Sequence, residues 1–321
     1  MKKTLDSILE YFSNYQSFVI SGHKRPDGDC VGAQLSLGIL LQRQDKEFHL
    51  VNPSPPAEKF DFLPNFKWFT TSPPDHSVEV GVITDCGNFQ RLGWLQDYLA
   101  GCDHLINIDH HPGNNISADV SLVRSDVSSV GELIYHLYRR AGEEITPDVA
   151  LALYVTLLTD TGCFQHANTG AQTHRIAGEL INKGDFEPYR VYSRIYEREV
   201  LDSLHLLGAV LSDIKEKNGI VWGEISQELL QKTDSSPEDL RGAINHLRQA
   251  KNCEVAVLFY EKKRQKVKVS FRAKNSFDLL PVVASLGGGG HSGAAGTTIE
   301  GTLEEVEAKV LSALSEALEE A

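Results

Sequence analysis

Four short apolar runs, 18–21, 48–52, 80–84 and 105–108, alternate with amphipathic or loop-forming stretches in the first half of the chain, and this alternation constrains the fold more than any other feature. Such a rhythm is that of a mostly parallel sheet covered by helices. A helical stretch follows the first run, over 31–42, with Ala33, Leu37, Leu40 and Leu41 at helical spacing. The proline-rich piece 53–74 can be neither a central strand nor a long helix, so it is expected as loop with short turns. From 128 the periodicity is helical: 128–140, then 147–158 with Pro147 suited to a helix start, then 171–182 closing at Gly184. The tract 187–205, rich in Tyr, Arg and Glu, is expected as a connecting helix. Beyond it, strands are expected at 220–225, 254–260 and 266–272, and helices at 236–250, 277–286 and 302–318. A hairpin turn is expected at Lys217-Asn218-Gly219. The expected architecture is α/β: a mostly parallel-sheet N-terminal domain over 1–186, the connecting helix 187–205, and a smaller α/β domain over 206–321, with the active-site cleft between the two domains.

Composition then narrows the function. The 321 residues suffice for two domains with cores of their own. Against 31 Lys and Arg stand 44 Asp and Glu, a net charge of −13. A broad phosphate-gripping surface needs clustered cations, so the acidic balance argues against a protein that grips long DNA or RNA in that way, and any anionic substrate must be met locally. Asp6, Glu10, Asn14 and Gln16 interrupt what would be the apolar part of a secretion signal, and no run approaches the ~20 apolar residues of a membrane span. No membrane partner and a cytoplasmic location are expected. The five scattered cysteines, without C-x-x-C spacing, are expected as reduced thiols.

Ligand-capable residues gather just past the ends of apolar segments, where open α/β sheets place their active sites. The first cluster is Ser21 to Asp29, with His23, Asp27 and Asp29. The second is Thr84 to Asn88, with Asp85, and the third Asp109-His110-His111-Pro112-Gly113-Asn114. The fourth, Asp160-Thr161-Gly162, ends an apolar helix. Singly, each is explained as a solvated turn or polar surface. Together, uncovered carboxylates at neighbouring strand ends would repel one another unless cations sit among them, and two divalent ions would satisfy the set. Imidazole with carboxylate and no thiolate favours Mn²⁺ or a similar first-row ion. Two ions need a shared carboxylate, and a pair ~3.5–4 Å apart can hold an attacking hydroxide and both faces of an in-line phosphoryl displacement. Neighbouring side chains in extended backbone point opposite ways, so of His110 and His111 one is expected as a ligand and the other toward substrate. In the second domain, 269–275 places Arg272 and Lys274 at a strand end, and the run Gly287 to Gly290 leads into His291; backbone N–H groups of such glycines can approach an anion closely.

These motifs, His23, Pro26-Asp27-Gly28-Asp29, Asp85, Asp109-His110-His111, Asp160-Thr161-Gly162 and Gly287 to His291, together resemble the DHH phosphoesterase family with its DHH-associated C-terminal domain, over nearly the whole chain. Within that family the likeness is to the stand-alone bifunctional oligoribonuclease and PAP phosphatase (nanoRNase) type. The resemblance implies that His23, Asp27 and Asp85 hold one Mn²⁺ and that Asp29, Asp85, His110 and Asp160 hold a second, with Asp85 bridging. It implies catalytic roles for Asp85, for His111 against the phosphate and for Asp109, which orients its neighbours. Arg272, Lys274, Gly288, Gly289, Gly290 and His291 would bind substrate. The implied activity is hydrolysis of short single-stranded oligoribonucleotides and linear dinucleotides to mononucleotides, and of 3′-phosphoadenosine 5′-phosphate to AMP. Two departures bear on substrate preference: Ala33 stands where many relatives have Ser, and the chain is acidic for an RNA binder.

A cyclic-di-AMP phosphodiesterase and a family II-like inorganic pyrophosphatase are the alternative enzymes, the glycine run before His291 arguing against the latter. The alternative outside enzymes is a nucleotide-binding regulatory protein. The direction of digestion and self-association into a homodimer stay open.

Overall fold

A computed structural model describes residues 1–235, 242–274 and 277–319. It divides into two compact units, Met1–Arg198 and Glu199–Ala321. The first opens with α1 (Lys2–Asn14), β1 (Ser17–Ser21), α2 (Gly28–Arg43), β2 (Glu47–Val51) and β3 (Phe69–Thr70). It continues with β4 (Val80–Thr84), α3 (Leu95–Ala100), β5 (His104–Asp109) and β6 (Val120–Val123), and ends with α4 (Val130–Ala141), α5 (Pro147–Asp160), α6 (Ala171–Lys183) and α7 (Pro188–Tyr196). The six strands lie in the order β3-β2-β1-β4-β5-β6, every pair parallel.

All four expected strands are present within a residue at each end. Their apolar character has the expected cause: both faces of the sheet are covered. Phe18, Ile20, Leu50, Val82 and Ile108 join a large core with residues of α2, α4, α5 and α6. Val19, Val51 and Ile83 face the other way, onto Leu95 and Leu99 of α3. Chain direction across the sheet reverses between β1 and β4, which opens a crevice at their C-terminal ends. The loops on that crevice carry the ligand-capable clusters.

Two strands of this sheet were not expected. β3 is a two-residue strand inside the proline-rich tract, and β6 is a short strand at the sheet edge, paired on one side only, whose Ser121 breaks its apolar run. Helix α2 begins three residues earlier than its apolar periodicity, because Asp27 Oδ1 caps it by accepting from the backbone N–H of Asp29 (3.0 Å) and Cys30 (3.2 Å). That start puts Asp29 in the first helical turn.

The second unit runs α8 (Leu201–Ser212), β7 (Lys215–Lys217), β8 (Ile220–Ile225), α9 (Gln227–Lys232), α10 (Ala243–Arg248), β9 (Val255–Lys263) and β10 (Lys266–Ala273). It closes with α11 (Leu280–Ser285), β11 (Gly289–His291), β12 (Ala294–Glu300) and α12 (Leu303–Glu319). Its sheet is mixed, in the order β11-β12-β10-β9-β8-β7, with β8 and β9 the parallel pair. The expected hairpin at Lys217-Asn218-Gly219 joins β7 to β8, with φ of 50° at Asn218 and 82° at Gly219, as a two-residue turn between twisted strands demands.

The tract 187–205, expected as one helix, holds α7 and the start of α8. Val191 and Ile195 of α7 enter the core of the first unit, and Leu206 of α8 enters that of the second. Of the expected helix 236–250, residues 236–241 lie outside the described residues. The glycine run is not a free linker, since Gly289 and Gly290 pair with Gly296 and Ala295 of β12. Among the described residues no helix is long and apolar enough to cross a membrane.

Candidate metal centre

The loops after β1, β4 and β5 and the end of α5 bring His23, Asp27, Asp29, Asp85, Asp109, His110, His111 and Asp160 together in the first unit. Asp85 follows β4 in a left-handed conformation, φ 52°, held by its N–H donating to the Ile108 carbonyl (3.1 Å). A non-glycine residue in that region is strained, and such strain concentrates at functional sites. Asp29 and Asp85 are only 1% and 2% exposed, which is unusual for carboxylates without a cationic partner.

The imidazoles define what this cluster could hold. His23 Nδ1 donates to the Lys24 carbonyl (2.9 Å), so in the neutral ring Nε2 carries a lone pair. Burial pushes the His23 pKa down, against the pull of Asp27, which favours that neutral form. The Nε2 lone pair faces Asp85 Oδ2 at 3.4 Å and Asp27 Oδ2 at 3.8 Å. His110 Nε2 stands 3.8 Å from Asp29 Oδ2, 3.7 Å from Asp85 Oδ1 and 3.6 Å from Asp160 Oδ2. Most of these separations are too long for hydrogen bonds. They suit donors sharing a cation, because two ligands each ~2.1 Å from an ion stand about 3–4 Å apart. One group of donor atoms contains Asp85, His110 and His111, another Asp29, His110 and Asp160, and a third His23, Cys30 and Asp85; each lies within 4.8 Å. Asp85 belongs to two groups on opposite sides of its carboxylate, as a bridging ligand would.

Electrostatics agree with the geometry. Burial, then the charges of Asp85, Asp160 and Asp27, push Asp29 well above the ordinary carboxylate range. Burial, then Asp27, Asp160 and Asp109, do the same to Asp85. Asp160 is also raised, chiefly by burial, with His110 opposing. The carboxylates therefore fit divalent cations, which would remove both the desolvation and the mutual repulsion.

Asp109 behaves differently. It is fully buried, and burial pushes it up, yet hydrogen bonds from His111 Nδ1 to Oδ1 (2.8 Å) and from Asn114 Nδ2 to Oδ2 (2.6 Å) outweigh that and hold it below its usual value. With Nδ1 committed to Asp109, a third-exposed His111 ring has its Nε2 left for another partner.

Asp29 has a second duty. Its carboxylate accepts from the N–H groups of Val130 (2.8 Å) and Gly131 (3.1 Å) at the N-terminus of α4, where helix dipole and unpaired donors favour negative charge. Gly131 lets α4 lie close against α5: a Cβ there would be 1.6 Å from Thr156 Oγ1.

Several residues around the centre were not expected. Asn52 Oδ1 accepts from Gly22 N (3.0 Å) and Gln34 Nε2 (2.9 Å), and Asn52 Nδ2 donates to Gln34 Oε1 (2.8 Å), so a buried amide pair pins the end of β1. Cys30 Sγ reaches the His23 side, where burial and the neighbouring carboxylates push its thiol up. Asn168 Nδ2 donates to Asp160 Oδ2 (3.1 Å), and the exposed Arg91 acts on both His23 and Asp85. Only Cys30 carried a signal, its place in the Asp27-Gly28-Asp29-Cys30 run. A cavity of about 810 Å³ lined by Phe62, Ile181, Phe186, Arg190 and Arg194 lies apart from these ligands. Two of its cations are paired, Arg190 with Glu187 and Arg194 with Asp61.

The remaining expected site residues lie in the second unit. Arg272 of β10 and His291 of β11 both register with Ala294 of β12, so they occupy one row of the sheet. Arg272 is half-buried, donates to its neighbour's carbonyl (Phe271, 2.9 Å), and is shifted down by burial and Arg248. Lys274, one residue past β10, donates to the Ala250 carbonyl (3.1 Å). Gly290, at φ 150°, sits where a Cβ would be 2.5 Å from the Ala294 carbonyl oxygen and the Ala295 Cα. Asn275, the last residue of the 269–275 motif, lies outside the described residues.

Residues 17–157 match the DHH family, N-terminal domain, and residues 215–320 match the DHHA1 domain. The chain is similar to the bifunctional oligoribonuclease and PAP phosphatase NrnA of Thermus thermophilus, 30% identical over 305 residues covering 93% of this chain and 89% of that protein. It is similar to the protein of the same name from Bacillus subtilis, 28% identical over 303 residues covering 91% and 92%. A solved structure of an exopolyphosphatase-related protein from Bacteroides fragilis superposes with a TM-score of 0.90 at 25% identity, covering all of this chain and 96% of that one.

Proposed function

The chain belongs to the DHH family and is a metal-dependent hydrolase of phosphoester bonds, and from that membership we propose that it cleaves short oligoribonucleotides to mononucleotides and 3′-phosphoadenosine 5′-phosphate to AMP. The observation that carries the reading is the set of acceptor groups around His23 and His110, spaced 3.4–3.8 Å apart with Asp85 common to both. In our reading His23, Asp27 and Asp85 hold one ion, and Asp29, Asp85, His110 and Asp160 the second, both Mn²⁺. When bound, such a pair would lower the pKa of a water and offset charge on the attacking and leaving oxygens of an in-line displacement.

The protein's own groups do the rest. Asp109 fixes the His111 ring by accepting from Nδ1 and so sets where Nε2 meets the substrate phosphate. Asp29 keeps its orientation through the α4 N–H groups, and Asn168 does the same for Asp160. Arg272, Lys274 and His291, with the N–H groups of Gly288, Gly289 and Gly290, take the terminal phosphate of the substrate. A half-buried guanidinium near a second arginine is poised for an anion, which supports that role for Arg272. A cytoplasmic location is part of the proposal, supported by five free cysteines.

A Mn²⁺-supplemented panel of di- to pentanucleotides, 3′-phosphoadenosine 5′-phosphate, cyclic dinucleotides and pyrophosphate tests the reading. Turnover of the first two classes well above the others is the expected result. Preferential turnover of cyclic di-AMP or of pyrophosphate would replace it with one of the alternative activities.

A further inference from the structure

At the opposite end of the first unit's sheet, Glu47 and His49 are two apart on β2 and project from the same face. The intervening Phe48 and the following Leu50 turn to the large core. His76 arrives from the loop between β3 and β4, whose backbone is held where Tyr98 Oη donates to the His76 carbonyl (3.0 Å). The two rings meet edge to face, with centroids 5.8 Å apart. Both point Nε2 at one atom: Glu47 Oε1 is 3.0 Å from His49 Nε2 and 2.8 Å from His76 Nε2. Glu47 is held below its ordinary value, first by the hydrogen bond from His49, then, against burial, by His76.

We propose that Glu47, His49 and His76 form a second metal site, for a first-row divalent ion of the zinc, cobalt or nickel class. Two imidazoles and one carboxylate converging from a strand and a loop are the donor set of a three-ligand zinc-type site with an open position. The donors need to move little: around an ion ~2.1 Å from each, tetrahedral ligands stand about 3.4 Å apart, a few tenths of an ångström beyond the present spacing. Half-buried His49 fixes one corner, while the exposed Glu47 and His76 can adjust. The open position faces solvent. Imidazole-rich donors prefer zinc, cobalt or nickel to manganese, so this site and the oxygen-rich centre would select different ions. Glu47 opens β2 at the N-terminal edge of the parallel sheet, whereas the carboxylate centre lies past the C-terminal ends of β1, β4 and β5, and the two sites share no ligand. A bound ion would clip β2 to the loop that follows the proline-rich tract.

The test uses the full chain with its carboxylate centre saturated with Mn²⁺, titrated with Co²⁺ while visible absorption and calorimetric heat are followed, and with Zn²⁺ as competitor. Wild type is expected to take up one Co²⁺ with the strong absorption of a low-coordinate site, displaced by Zn²⁺. His76→Ala and the conservative Glu47→Gln should each weaken that uptake at least tenfold, leaving Mn²⁺-supported turnover before cobalt unchanged. The same uptake should persist in Asp85→Ala, which separates this site from the carboxylate centre. Equal uptake by wild type and both variants, loss of uptake in Asp85→Ala, or binding only at millimolar Co²⁺ would overturn the proposal.

Discussion

Asp85 is the residue on which most of the candidate centre depends. It faces His23 with one oxygen and His110 with the other, and it follows β4 in a backbone conformation that few side chains adopt. Asp85→Ala is therefore expected to lower occupancy of both ions together and to abolish turnover, measured by elemental analysis beside the activity assay. Two retained ions with near-normal activity would remove the shared-ligand arrangement. The raised carboxylates also set a pH dependence for the metal-free chain. Asp29 and Asp85 have folded-state pKa values well above their unfolded value of about 3.9. The folded state then binds more protons than the unfolded state, so their contribution is fully present below the unfolded value and is lost as pH rises through the folded ones. Metal-free protein should melt at a lower temperature as pH is raised across that window. Ion-loaded protein should show the reverse, since the ligands must be deprotonated to bind. Thermal melts at several pH values, with and without chelator, measure both slopes.

At the scale of elements, α4 shows how the scaffold holds its ligands. Its first N–H groups receive Asp29, and its second residue must be glycine to lie against Thr156 of α5. Gly131→Ala should cost roughly 1–3 kcal/mol through overpacking and, by moving the helix start, weaken ion binding as well; melting temperature and metal affinity are the readouts. Unchanged metal affinity beside lowered stability would separate the helix from the centre. What the sequence made legible here follows from the physics of each element. Central strands buried on both faces are short apolar runs, so β1, β2, β4 and β5 were visible, as were the ligand-type residues beyond three of them. Edge strand β6 packs on one neighbour and carries polar Ser121, so nothing distinguished it from loop. The start of α2 was hidden because a cap on Asp27 and not apolar spacing decides it. The tract 187–205 looked like one helix because its Tyr and Arg residues are good surface residues of either domain. The amides Asn52, Gln34 and Asn168 left no trace, because a buried hydrogen-bonding amide and a solvated one are the same letters.

For the molecule as a whole, charge governs which substrates arrive. A net charge of −13 repels a long polyanion. Short fragments need only local anchors, so kcat/KM along a single-sequence RNA ladder from two to about twenty-four nucleotides should fall with length. The fall should shrink as salt shortens the Debye length from its ~8 Å at physiological ionic strength. Equal efficiency along the ladder at low salt would instead mark a processive exonuclease. The order of the ligands along the chain carries a different consequence. They come from four separate segments between His23 and Asp160, which meet only once β1, β4, β5 and α5 have docked. An ion held there binds the folded chain and not the unfolded one, adding about 2.7 kcal/mol when free ion stands at a hundred times its dissociation constant. Pulse proteolysis should accordingly cut the chelated protein faster than the loaded one. In a cell, that makes the survival time of each copy a function of ion supply, so that scarcity of the metal thins the population of the enzyme as well as silencing it.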